Sequence, residues 1–131
     1  MFFAIDPAGG VPLYEQVVRQ VKFAVAGQVL KPGERVPSVR EVARQLAINP
    51  NTVARAYRQL QADDVLEPVR GMGLQVAGGA LGICQRERLD LIRRRLREVL
   101  LEARQSRLDG SEIRELVERE LDQAEKEEVQ S

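Results

Sequence analysis

Two helix-start signals set close together constrain this chain more than any other feature of it. Ser38-Val39-Arg40-Glu41 fits a capping box: the serine hydroxyl can accept from the Glu41 amide while the Glu41 carboxylate reaches back to the Ser38 amide. Asn49-Pro50 is the second signal, with Asn49 as N-cap and Pro50 at the first helical position, where its missing amide costs nothing. The interval holds a helix of about two turns and a tight connection. Val39, Val42, Ala43 and Leu46 fall on one face of that helix and leave Arg40 and Arg44 outward, one turn apart. In the helix that follows, Val53, Ala56, Tyr57 and Leu60 form a buried stripe, which turns Asn51, Thr52, Arg55, Arg58 and Gln59 toward solvent or a partner. Two helices joined by a tight turn, the second presenting polar donors, make a helix-turn-helix.

The flanking segments complete a winged version. Tyr14, Val17, Val18, Val21 and Val25 recur at helical spacing between Pro12 and Gln28. Lys31-Pro32-Gly33-Glu34 then reads as a turn. Segments Val65 to Val69 and Leu74 to Ala77 flank Arg70-Gly71-Met72-Gly73, a hairpin with glycines in its tip. Pro68 has no amide to donate, so its strand should lie at an edge. The glycine-rich stretch Ala77 to Gly82 suggests a linker. Beyond it Leu89, Ile92, Leu96 and Val99 step by three and four, with Leu100 and Ala103 widening the stripe. Leu108-Asp109-Gly110-Ser111 breaks this helix, and Ile113, Leu116, Val117, Leu121 and Ala124 mark a last one. The expected fold is mainly α with a small β-hairpin: a winged helix-turn-helix over residues 10–78, a linker over 79–84, and a helical dimerisation hairpin over 85–131, with room for an effector.

Composition narrows the function. A chain of 131 residues holds one small domain and an appendage. No histidine or tryptophan is present, which removes the commonest general base and the commonest zinc ligand. Gly71-Met72-Gly73 is too short for a phosphate loop, and the lone Cys84 cannot form an internal disulfide. The acidic side chains of the last helix alternate with Arg114 and Arg119, as on a solvated surface. No enzyme, cofactor or metal is expected. The opening Met1 to Asp6 has no basic region, and the run Val76 to Cys84 is too short to span a bilayer. A cytoplasmic protein without membrane contact is expected. Net charge is zero, but residues 1–76 carry nine basic side chains against seven acidic ones, which permits an anionic partner for that part.

The side chains on the second helix of the motif suit double-stranded DNA. Arg55 and Arg58 could pair with guanine edges or phosphates, Asn51 with adenine, and Thr52 with a phosphate near the helix start. Arg40 could reach a base edge or a backbone oxygen, and Ser38 with the amides behind it forms a helix N-terminus that attracts phosphate. Any one of these arginines alone is what a solvated helix face carries; the tight turn, the capping box and the glycine wing with Arg70 make them a set. One recognition helix offers few contacts, and a two-fold dimer doubles them. The stripe Leu89, Ile92, Leu96, Val99 and Leu100 is too apolar to leave in water and is assigned to a partner subunit.

Three stretches resemble the GntR family of regulators in its YtrA-like branch: Gly10 to Gln16, Pro32 to Ala43, and Asn49-Pro50-Asn51-Thr52-Val53-Ala54-Arg55-Ala56-Tyr57. The resemblance implies a winged helix bound as a homodimer to an inverted-repeat operator, with repression as the default outcome. It implies that Arg40, Asn51, Thr52 and Arg55 face the major groove from a recognition helix at about 50–62, and that Gly71, in a wing at about 65–77, approaches the minor groove. Two positions depart from the family pattern: Asp64 stands where the family has glycine, and Met72 replaces the basic residue of the wing tip. A small-molecule effector of unknown class could act by rotation at Gly78-Gly79. The rival readings are a winged-helix adaptor for proteins and a nonspecific DNA binder.

Overall fold

The computed structural model describes residues 5–130, so most of the opening Met1 to Asp6 and the final Ser131 lie outside the described residues. Five helices and two strands follow in the order α1 (Leu13–Ala26), α2 (Val39–Leu46), α3 (Pro50–Ala62), β1 (Leu66–Pro68), β2 (Leu74–Val76), α4 (Ala80–Gln105) and α5 (Gly110–Gln130). They form two compact units, one ending at Leu89 and the other starting at Asp90.

In the first unit the expected apolar stripes meet. Val17, Val21 and Val25 of α1, Val42 of α2, and Val53, Ala56, Tyr57 and Leu60 of α3 bury one another, and Val65, Leu66 and Val76 close the core from the wing side. The wing pairs Leu66 with Val76, Glu67 with Gln75, and Pro68 with Leu74 in antiparallel register. β1 is an edge strand, and the ladder resumes beside Pro68 with the Val69 amide donating to the Gly73 carbonyl at 2.8 Å. The proline therefore occupies a position whose amide would point away from β2.

On the other edge of β2 the chain makes a third, short pairing that the turn reading of Lys31 to Glu34 missed. Arg35 bridges Gln75, the Gly33 amide donates to the Val76 carbonyl at 2.8 Å, and the Val36 amide donates to the Leu74 carbonyl at 3.0 Å. Gly33 sits at φ +87°, a conformation open to glycine at no steric cost, and it aims the following residues along the wing.

Within the segment read as a linker over 79–84, residues 80–84 are instead the first turn and a half of α4. Gly78-Gly79 is only a turn, closed by the Ala80 amide donating to the Ala77 carbonyl at 3.1 Å. Ala80 and Cys84 are 0% and 1% exposed in the core of the first unit. Four helical residues apart, they share a face, and burying that face outweighs the flexibility a run of small residues suggests. Both sides of the turn, Ala77 and Ala80, are anchored in the core. Lys22 adds an ionic tie, its ammonium lying 2.8 Å from Asp63 and 2.7 Å from Glu87. Burial alone would lower the Lys22 pKa; the two carboxylates outweigh it and raise it.

In the second unit, Asp109 caps the start of α5, its carboxylate accepting from the Glu112 amide at 2.8 Å. An open groove of about 460 Å³ separates the rest of α4 from α5, lined chiefly by Leu96, Leu100, Ile113 and Val117. Among the described residues of this unit only Ile113 is buried.

Candidate nucleic-acid interface

Each end of the tight turn between α2 and α3 is held by a local device that its sequence encodes. Ser38 Oγ accepts from the Glu41 amide at 3.1 Å, the first bond of the capping box. The reciprocal bond to the Ser38 amide is not made among the described residues, so the α2 N-terminus keeps a donor free for an anion. Ala47 adopts φ 54°, with the Ile48 amide reaching back to the Ala43 carbonyl at 3.1 Å, which ends α2 and reverses the chain. Asn49 Oδ1 then accepts from the Asn51 amide at 2.8 Å and starts α3. The Tyr57 hydroxyl donates to the Pro37 carbonyl at 2.7 Å, clamping the approach to α2 against α3. Burial, helped by Glu41, pushes the Tyr57 phenol well above its ordinary pKa, so it remains a donor.

Asn51, Arg55 and Arg58 lie three and four residues apart on the exposed side of α3, opposite Val53, Ala56, Tyr57 and Leu60. Thr52 is half-buried at the margin of that side, while Arg40 stands exposed on the first turn of α2 with Arg44 one turn on. In the wing, Arg70 and Gly71 occupy the two central positions of a turn closed by the Met72 amide donating to the Val69 carbonyl at 2.9 Å. Gly71 has φ +72°, as the second central position of a type II turn requires. The structure thus carries Ser38, Arg40, Asn51, Thr52, Arg55, Arg58, Arg70 and Gly71 on α2, α3 and the wing of a single compact unit.

Arg35, Arg40, Arg44, Arg58 and Arg70 make no ion pair among the described residues; the unit's ionic contacts are those of Lys22. Unpaired guanidiniums around a helix-turn-helix leave charge for an anion to neutralise. A groove of about 560 Å³ runs between the wing and the start of α2, with Val36, Pro37, Tyr57 and Leu74 in its lining and Arg35 beside it. Arg55 differs from the others: its guanidinium lies 3.8 Å over the ring of Tyr14. By its sequence position Tyr14 belongs only to the α1 core stripe, and Tyr57 only to that of α3. A tyrosine at helical spacing carries no separate signal for what its ring face or hydroxyl will meet. Of the stripe assigned to a partner subunit, Leu89, Ile92, Leu96 and Val99 are exposed and Leu100 is half-buried.

The comparisons agree with this architecture. The model described as "Bacterial regulatory proteins, gntR family" matches residues 13–76. The HTH-type transcriptional repressor YtrA of Bacillus subtilis is 31% identical over 113 residues, covering 86% of this chain and 87% of YtrA. Among solved structures, a transcriptional regulator from Oenococcus oeni is 34% identical with a TM-score of 0.75, over 92% of this chain and 99% of that one. The DNA-binding domain of AraR in complex with operator ORX1 shares the fold, at 24% identity and a TM-score of 0.51 over 56% of this chain and 92% of that one. No helix among the described residues is long and apolar enough to cross a membrane. The chain belongs to the GntR family of DNA-binding transcriptional regulators, in its YtrA-like branch.

Proposed function

We propose that this regulator is a repressor, not an enzyme, that binds an inverted-repeat operator as a homodimer in the cytoplasm. The observation that carries the reading is the set of unpaired guanidiniums on α2, α3 and the wing, around two capped helix starts. α3 enters the major groove, where Asn51 and Arg58 on its outermost stripe reach base edges and Arg40 reaches a base or the adjoining backbone. Ser38 and Thr52 meet phosphates at helix N-termini. Gly71 brings the wing close to the minor groove with Arg70 beside it; Met72 at the tip supplies no charge.

The second copy is supported by the apolar stripe of α4, where Leu96 and Val99 are 50% and 61% exposed. Residues 85–131 are the dimerisation region in this reading, and the domain at 10–78 keeps its place as the DNA-binding part. Two copies double the contacts and set half-site separation to whole turns of about 10 base pairs. A dimer seated over a promoter excludes polymerase. YtrA is named a repressor, and the AraR domain of the same fold is described on an operator.

Selection of genomic fragments by the purified protein at near-physiological salt, followed by salt titration of any enriched duplex, tests this reading. The expected result is an inverted repeat with strong preference over unrelated DNA. Arg40→Ala and Arg58→Ala should each cost about 1–3 kcal/mol on that repeat where the lost contact is to a base. Salt-sensitive binding without preference would support a nonspecific DNA binder, and function indifferent to both substitutions would support a protein adaptor.

A further inference from the structure

Arg55 is the basic side chain on the exposed side of α3 that already has a partner, and that partner redirects it. Its guanidinium stacks 3.8 Å from the Tyr14 ring centroid, which draws it toward the first turn of α1. Tyr14 is half-buried and packed against the core, so the ring is a fixed platform. Its hydroxyl donates to Glu15 at 3.3 Å. Stacking engages the face of a guanidinium and leaves its in-plane N–H edges open, and Arg55 makes no ion pair among the described residues.

We infer that Tyr14 is a positioning residue for DNA binding, holding Arg55 as a preordered contact to the phosphate backbone and not as a reader of bases. The inference rests on the proposed entry of α3 into the major groove. A helix lying in that groove reaches bases from its outermost stripe. A side chain leaning along the protein surface toward a flanking helix meets the groove wall, which is phosphate. Holding the guanidinium in place before binding removes rotamer freedom that would otherwise be lost on contact.

The test compares Arg55→Ala, Arg55→Lys, Tyr14→Leu and Tyr14→Phe, each checked by thermal melting, for binding to the selected operator, to a single-mismatch operator and to an unrelated duplex. Arg55→Ala should weaken all three duplexes by the same factor and lower the slope of log affinity against log salt by about 1.8 for a bound dimer, one phosphate's worth from each copy. Tyr14→Leu should weaken binding about two- to five-fold for each copy in the bound dimer, the value of an exposed cation–π contact. Tyr14→Phe, which keeps the ring, should bind like the parent. Arg55→Lys should restore the salt slope but only part of the affinity.

Loss of discrimination at one base pair with Arg55→Ala would make Arg55 a base reader and overturn the inference. A drop in melting temperature for Tyr14→Leu with affinity unchanged would reduce the pair to a clip between α1 and α3, also overturning it. If no operator is selected, the unrelated duplex still reports the phosphate contact, so the operator reading and this one fail separately. If the parent protein binds no duplex at all, both fall.

Discussion

Four residues, Gln28, Ala47, Asp64 and Arg107, hold left-handed conformations with φ between 54° and 66°, and none is glycine. Each follows a helix whose last carbonyls are satisfied by a six-to-one bond; after α3 it is the Val65 amide to the Leu60 carbonyl at 2.9 Å. Asp64 accepts the strain at the position where the family pattern has glycine, because a short polar side chain tolerates that region better than most. Ala47 has no such excuse. Ala47→Gly should raise unfolding free energy by about 1 kcal/mol, the relief of the left-handed strain less the greater freedom glycine gains when unfolded. Chemical denaturation checks it. Cys84 offers a pH signature: burial, aided by Glu87, raises its thiol from 9.0 to about 11. Between those values the unfolded chain has released a proton that the folded chain keeps, so stability falls as pH rises from about 9 through 11. Lys22, with its pKa also raised, acts in the same direction at higher pH. Denaturation midpoints across that range should decline, and less steeply in Cys84→Ala.

At the scale of elements, the helix-turn-helix is held by caps as much as by its core. α2 has eight residues, too few to persist without tertiary support, and Ser38 is its one side-chain cap. Ser38→Ala should cost about 1 kcal/mol of stability. It should also weaken DNA binding beyond that, since the same hydroxyl is proposed to face a phosphate; Ser38→Asn, which keeps the cap, separates the two effects when melting and affinity are compared. The wing depends on fewer local signals. Its second pairing, through Arg35, exists only because Gly33 turns the chain onto the free edge of β2.

At the scale of the whole molecule the first unit has a core and the second has almost none. Apolar side chains on α4 and α5 face an open groove, and a pair of helices arranged so buries too little to be stable alone. On the proposed dimer reading, Leu96→Asp should give monomers that retain the fold of the first unit but bind operator weakly, which sedimentation combined with circular dichroism and DNA titration would record. A fully dimeric, tightly binding Leu96→Asp protein would move the dimer contact elsewhere.

Caps, turn glycines and periodic apolar stripes act over a few residues, so α1, α2, α3, the wing hairpin and the break at Asp109 were legible from the sequence, as was the family. What packing over long sequence distances decides was not. A run of small residues after Ala77 reads as a linker until Ala80 and Cys84 are found in the core beside α1 and α3. Arg55 reads like Arg58 until the ring of Tyr14, from a helix that ends well before α3 begins, is found beneath it. Local signals set where helices start and stop; which small residues become core, and which arginines remain free, depends on the surfaces that distant segments bring against them.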